Sequence, residues 1–412
     1  MLVLVLVGAP ATATFAADEG AAADPLQIVV SLSQQRLQVF RGSEVVASSR
    51  LSSGKPGYAT PTGIFSILSK KKFHRSNIYS GAPMPWMQRL TWTGIALHES
   101  DQVPDRPASH GCVRLPAGFA KELFDQTVLG QHVVISADPV APEPVDNALL
   151  PQPRGPAPYD PLKDHWRVRL EAAGTLKQNP APLVSTAALL APVRGEIGFA
   201  RRADGPPLRV LITRRSRQEI TADIQTLLNR LGYDAGPVDG LIGPATWAAV
   251  RRFQEDRGLK VDGAITPQFS QTLYAAAGMD EPEVGRIYVR RDFEPVFDAP
   301  IGIEDADQPL GTHLITASRF DAANGRTQWL ALTLENQLPE FTRAYFNIDA
   351  EAHHDVAAAD ALSRLRVPAH VLDRIERMLS PGSSIAISDT GLGPYTGWKT
   401  DFVVVTRTGR PA

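Results

Sequence analysis

Residues 139–207 most constrain what this chain can fold into. They carry Pro139, Pro142, Pro144, Pro151, Pro153, Pro156 and Pro158 among alanines, and no helix or strand period is sustained there. Proline fixes φ and donates no backbone hydrogen bond, so a packed element cannot run through such a stretch. The 412 residues therefore cannot form one continuous patterned unit. We expect residues 139–207 to be an extended linker, with two or three domains around it, as the length itself suggests.

On the N-terminal side, residues 25–138 carry strand signals. Leu26–Leu32 and Arg36–Phe40 are short β-branched or alternating runs with a Gly42 turn nearby. On the C-terminal side, residues 217–278 switch to the helix period, with Ile220, Ile224, Leu227, Leu228 and Leu231 on one face. Strand signals return over residues 285–408, as in Arg286–Arg290 and Asp401–Thr406. Ahead of all of them, Leu2–Val7 is apolar and small residues follow to Ala17, with Thr14-Phe15-Ala16 in the form of a cleavage site. Residues 1–17 are expected to be a signal peptide, although no Lys or Arg precedes the apolar run; a bare apolar N-terminus is the alternative. No other run reaches ~18 apolar residues, so no membrane span is expected after cleavage.

Lys and Arg number 42 and Asp and Glu 44, a net charge of −2, which excludes a strongly basic nucleic-acid binder. Cys112 is the only cysteine. An intrachain disulfide and a cysteine-rich zinc site are both excluded.

That cysteine lies in Ser109-His110-Gly111-Cys112-Val113-Arg114, and His98 stands 14 positions before it. A thiol near pKa ~8.5 reacts slowly at neutral pH unless an imidazole or oriented dipoles assist it. If the flanking runs are strands, His98 meets the sulfur from a neighbouring strand. The amide of Gly111 or Cys112 is placed to hold an oxyanion. Arg114, two residues past the thiol, shares its face on an extended strand and suits a carboxylate. A lone cysteine is more often a small buried hydrophobe, and His98, His110 and Cys112 could also hold a metal. A single unpaired thiol kept beside two histidines in an exported chain favours a nucleophile.

These residues resemble the catalytic domain of the L,D-transpeptidases (YkuD type). The matching segments are Leu97-His98-Glu99-Ser100, Ser109 to Leu115, Thr60-Pro61-Thr62-Gly63-Ile64-Phe65, and Pro83-Met84-Pro85-Trp86-Met87 beside the substrate cleft. The resemblance implies a mainly β domain, sandwich- or barrel-like, acting by cysteine acyl transfer on peptidoglycan stem peptides. It implies Cys112 as nucleophile, His98 as proton donor and acceptor oriented by the Glu99 carbonyl, and His110 with Gly111 in the oxyanion region. Arg114, Ser109 and Trp86 are then substrate-binding. No metal or organic cofactor is implied. The acceptor is left open among a second stem, a protein amine and water, the last making an L,D-carboxypeptidase or endopeptidase; a non-catalytic wall-binding scaffold is the reading from another class. The implied location is the periplasm or cell envelope.

Residues 217–278 resemble a three-helix peptidoglycan-binding domain. The match runs through Ile224-Gln225, Leu228, Leu231-Gly232-Tyr233, Val238-Asp239-Gly240, Gly243-Pro244, Phe253-Gln254 and Val261-Asp262-Gly263. The last strand region, 285–408, echoes the first. Arg114-Leu-Pro-Ala recurs as Arg366-Val-Pro-Ala, and 22 positions separate Arg114 from Ser136 as they separate Arg366 from Ser388. Pro61-Thr-Gly63 resembles Pro309-Leu-Gly311. In this register Cys112 falls on Arg364, so a degenerate β copy without the nucleophile is expected. His353 and His354 in the acidic stretch are expected to be exposed.

Overall fold

The computed structural model describes residues 24–78, 81–154, 205–321, 324–336, 338–349, 356–393, 395–397 and 400–407. The expected signal peptide, residues 155–204 of the expected linker, and His353 and His354 lie outside the described residues.

The architecture is mainly β. In the N-terminal region Leu26–Ser31 (β1), Arg36–Arg41 (β2) and Glu44–Arg50 (β3) form an antiparallel meander. Thr62–Ser66 (β4) follows, then Ser69–Lys71 (β5), Met87–Arg89 (β6), Ala96–Glu99 (β7) and Val113–Leu115 (β8). Helix α1, Ala117–Gln126, leads to His132–Ser136 (β9), which runs parallel to β1 and antiparallel to β4. A small four-stranded sheet, β5-β6-β7-β8, carries the His98 and Cys112 segments.

Strand alternation between two cores explains why β1 and β9 are buried along nearly their whole length. Ile28, Val30, Val133 and Ile135 face a core shared with Leu97, Val113, Leu115 and Leu123. Val29 and Val134 face the other way, into a core shared with Leu211, Leu314 and Ala386 of a second sheet. Both faces are covered, so neither strand has a polar side.

That second sheet repeats the first. Its strands are Glu143–Val145 (β10), Leu208–Arg214 (β11), Gly285–Arg291 (β12), Glu294–Ile303 (β13), Thr312–Asp321 (β14), Arg326–Leu334 (β15), Leu365–Arg366 (β16) and Ser384–Ser388 (β17). β11 pairs antiparallel with β12 and parallel with β17; β12 pairs with β13, and β17 with β14. β1, β2, β3, β4 and β9 are joined by the same pairings in the same directions. The registers agree as well. Ser31 faces Ser136 as Thr213 faces Ser388, and Ser52 bridges Arg114 as Gly302 faces Arg366. One echo expected from sequence shifts: Gly63 faces Ile135 and His313 faces Ile387, so Gly63 corresponds to His313 and not to Gly311.

The matching pairings therefore begin at Leu208, ahead of residue 285. Between its first two strands sits the helical region: Arg217–Arg230 (α2), Pro244–Asp256 (α3) and Pro267–Ala276 (α4). Ser216 and Glu219 form a capping box, while Pro244 and Pro267 occupy first turns where their missing N–H costs nothing. The Gln225 side chain ties the Asp239-Gly240 turn and Gln254 ties the Asp262-Gly263 turn, which accounts for the repeated Val-Asp-Gly. Short helices Glu340–Phe346 (α5) and Ala358–Ser363 (α6), then Ala369–Met378 (α7), complete the copy.

The two sheets trade edge strands. After β9 the chain crosses over, and β10 pairs with β15 of the second sheet; after β17 it crosses back, and Val404–Arg407 (β18) pairs with β4 of the first. The expected linker is corrected here. Residues 143–145 are an edge strand, where Pro144 is tolerated. Leu150 is buried in the second core, and Trp329 Nε1 donates to the Pro151 carbonyl at 3.2 Å.

Candidate active site

The site forms where β7 and β8 run parallel. Leu97 faces Val113 and His98 faces Arg114, which places Cys112 at the mouth of β8, beside the start of β7. His98 is 7% exposed. Its Nδ1 lies 2.6 Å from the Glu99 carbonyl oxygen. A carbonyl only accepts, so Nδ1 carries the proton and Nε2 keeps its lone pair. Burial pushes this imidazole down to about 4; the Glu99 carbonyl opposes the shift and the Arg114 charge adds to it.

Cys112 is half-buried and packs against Met84, Met87 and Ala96. Its thiol donates to the Gly94 carbonyl at 3.4 Å. Burial pushes the thiol above its ordinary range, while a backbone hydrogen bond from Ala96 and the charges of Arg89 and Arg114 pull against it.

The loop before the sulfur is built against residues 52–60. The amides of Ala108 and Ser109 donate to the Ser53 carbonyl at 2.9 Å, and the Lys55 amide to the Ser109 carbonyl at 3.0 Å. Thr60 Oγ1 donates to the Gly111 carbonyl at 2.8 Å and accepts from the Gly54 amide at 2.9 Å. Gly111 has φ +108°, and a Cβ there would meet Ile95 Cδ1 at 2.9 Å, so no other residue suits the turn.

The candidates named from sequence divide into those at the sulfur and those beside it. His98 lies on β7 and Cys112 opens the neighbouring β8, and Arg114 stands half-exposed with its charge bearing on both. His110 is exposed, edge-on to Tyr58 with centroids 4.6 Å apart; slight desolvation, Lys55 and Arg114 hold its pKa down. Two roles change. The Gly111 amide donates to Ser109 Oγ at 3.1 Å and is thus committed inside the loop. Ser109 is 1% exposed, and its hydroxyl donates to the Cys112 carbonyl at 2.5 Å, so it shapes the loop and does not face substrate. Trp86 packs sideways onto α1, edge-on to Phe124 at 5.4 Å and under Lys121 at 5.8 Å. Its neighbours Met84 and Met87 belong to the cluster against which Cys112 packs. Lys55, Tyr58 and Arg89 escaped the sequence reading, and Thr60 entered it only as part of a motif; the pairing that brings them in is long-range. Among the described residues no cluster of His, Cys, Asp and Glu suits a metal ion.

Residues 25–135 match the L,D-transpeptidase catalytic domain family (YkuD), and residues 217–273 match the putative peptidoglycan binding domain family. A putative OxPP cycle protein OpcA of Synechocystis is 42% identical over 53 residues, 13% of this chain and 11% of that one. L,D-transpeptidase 1 of Mycobacterium tuberculosis is 28% identical over 127 residues, 27% of this chain and 51% of that one. Among solved structures, an L,D-transpeptidase of Stackebrandtia nassauensis is 26% identical, with 31% of this chain and 62% of that one covered at a TM-score of 0.26. The chain spans about a tenth and about half the length of these two curated relatives. No helix among the described residues is long and apolar enough to cross a membrane. The chain thus carries a domain of the L,D-transpeptidase catalytic (YkuD) family at residues 25–135 and one of the putative peptidoglycan-binding family at residues 217–273.

Proposed function

We propose that this chain is an exported, periplasmic L,D-transpeptidase that acylates Cys112 with a peptidoglycan stem tetrapeptide. The observation that carries this reading is the His98 tautomer. With Nδ1–H held by the Glu99 carbonyl, Nε2 is the proton acceptor, on the strand beside the one Cys112 opens. Nε2 takes the thiol proton as sulfur attacks the carbonyl carbon of the third stem residue. The S–C bond forms, and the Cys112 amide holds the oxyanion with His110 at its side. The intermediate collapses, the C–N bond to the terminal D-Ala breaks, and Nε2 returns its proton to the leaving amine. The thioester is then resolved by an amine that gives its proton to Nε2, and the thiol is regenerated. Arg114 holds a stem carboxylate. An amine from a second stem gives a cross-link; a protein amine gives wall attachment.

Incubation of the purified chain with stem tetrapeptide, followed by intact-protein and product mass spectrometry, tests this. An acyl adduct with loss of D-Ala, together with a peptide dimer, is expected, and Cys112→Ala abolishes both. An adduct that yields only tripeptide would assign a hydrolase instead. No adduct at all would leave a wall-binding scaffold.

A further inference from the structure

We propose that the second copy is a rigid bracket, holding the helical module in one fixed position relative to Cys112. Three sets of contacts carry this inference.

Among its described residues the copy lacks the counterparts of Cys112 and His98. The shared register puts Arg364 where Cys112 stands, and its guanidinium donates to the carbonyls of Glu304, Asp305, Gln308 and Pro309 at 2.6–3.1 Å. Among the described residues nothing replaces β5, β6 and β7, so His98 has no counterpart either.

The copy grips the catalytic unit. β18 extends the catalytic sheet beyond β4, and Thr62 Oγ1 meets Thr406 Oγ1 at 2.8 Å. Arg209, buried on β11, donates to the Gly130 carbonyl of the catalytic unit at 3.1 Å, and His132 Nε2 lies 2.9 Å from Ser384 Oγ.

The copy also grips the module. The module enters through residues 215–216 and leaves through residues 277–284, so two chain crossings restrain it where a terminal domain would have one. The crossings are tied to each other and to the sheet: the Arg215 amide donates to the Val284 carbonyl at 2.9 Å, and Tyr288 Oη donates to Glu219 at 2.8 Å. Helix α5 and the residues after it, all from the copy, then complete the module's core. Tyr345, Phe346 and Ile348 are buried beside Ile220, Phe269 and Leu273. Tyr345 Oη lies 3.0 Å from Ser270 Oγ. Phe346 lies under the Arg214 guanidinium at 4.7 Å, and Arg214 is fully buried and paired with Asp389 at 2.7 Å. The module core is thus continuous with the second sheet, and that sheet with the catalytic one.

A flexibly tethered reader raises local substrate concentration whatever the geometry of the polymer; a fixed one does so only for stems at the matching separation. The polymer half of this inference rests on the proposed transpeptidase reading; the rigidity half does not. Backbone ¹⁵N relaxation on the full chain should give one common tumbling time for amides of residues 217–278 and of the catalytic domain. A shorter time for the module of the native chain would overturn the bracket. Two undocked chains, Tyr345→Ala/Phe346→Ala and one with flexible Gly-Ser insertions at both crossings, should release the module and shorten its tumbling time. Both should keep the native rate on soluble tetrapeptide and lose about tenfold on intact sacculi. An undocked chain with its sacculus rate intact would overturn the functional half. If the native chain turns over neither substrate, the transpeptidase reading fails, and relaxation alone decides the bracket.

Discussion

Gly63 sits directly beneath the carbonyl oxygen of Val404. A Cβ on residue 63 would fall 2.0 Å from that oxygen, and the glycine is held at φ +143°. Two residues 341 positions apart are thereby fitted to each other: β18 reaches its place beside β4 because residue 63 has no side chain. Gly63→Ala should separate the strands or strain the backbone. We expect a loss of about 3 kcal/mol in chemical denaturation, with faster hydrogen exchange at β4 and β18. An unchanged midpoint would mean that β18 is not docked on β4 in solution.

Thr60 has a different duty in the same segment. It is 3% exposed, and its hydroxyl links the Gly54 amide to the Gly111 carbonyl. Thr60→Val keeps the shape and leaves both partners unsatisfied, which costs roughly 1–3 kcal/mol. The loop carrying Cys112 should shift, and acylation should slow on the order of tenfold. Thr60→Ser restores the hydroxyl and should restore the rate. A purely structural role would give equal rates for Val and wild type once both are folded.

Thr60-Pro-Thr-Gly63 shows how much could be seen in advance. The segment stands out as a motif, and so do Cys112, His98 and Arg114, because each is local and chemically distinctive. Their partners are not local. Nothing near Gly63 announces Val404, and nothing near Gly111 announces Thr60. The helical region was legible because Ile220 through Leu231 keep the helix period over three turns. β11 was not: its partner β12 lies some seventy residues on, past an inserted domain, and Leu208–Arg214 alone is a short apolar run after a proline-rich one. β10 was hidden similarly, since Pro144 suggests a linker until an edge position makes it acceptable. The echo of Arg114 in Arg366 survived because a bridge to the neighbouring strand fixes each; that of Gly63 in Gly311 failed because two glycines matched where the strand register did not.

The buried imidazole at residue 98 makes a prediction about pH. It titrates at about 4 in the folded chain and at 6.5 when unfolded. Between these values the unfolded state holds the extra proton, so unfolding free energy rises with pH across that window and is lost as pH falls through it. His98→Gln should flatten this slope in part, since His132 and His313 are also pushed down by burial. In catalysis the base keeps its lone pair well below neutrality, so the acid limb of kcat/KM should fall near pH 4. The Cys112 thiol, pushed upward by burial, should show no ultraviolet thiolate absorbance at neutral pH. A thiolate plateau at neutrality would instead establish a preformed ion pair.

The pair Arg209 and Asp401 offers the last test, at the point where the chain leaves the second copy for the catalytic sheet. Both are buried, with Nε and Oδ2 3.4 Å apart. Burial pushes the Asp401 carboxyl upward, and the charges of Arg209 and Arg290 oppose it. Arg209 also donates to the carbonyls of Gly130 and Gly382 and to Ser384 Oγ. Asp401→Asn leaves that guanidinium without its counter-charge in a dry interface, which costs about 3–5 kcal/mol. Arg209→Met strands the carboxylate but lets it take up a proton, so its cost below pH 5 should be smaller than at pH 8. The double variant should lose less than the two singles combined, with a coupling energy on the order of 2 kcal/mol. Because Asp401 leads directly into β18, the single variants should also lower the unfolding midpoint read from a probe in the catalytic domain. Additive losses, or a catalytic domain indifferent to both substitutions, would show that the two sheets fold independently of this contact.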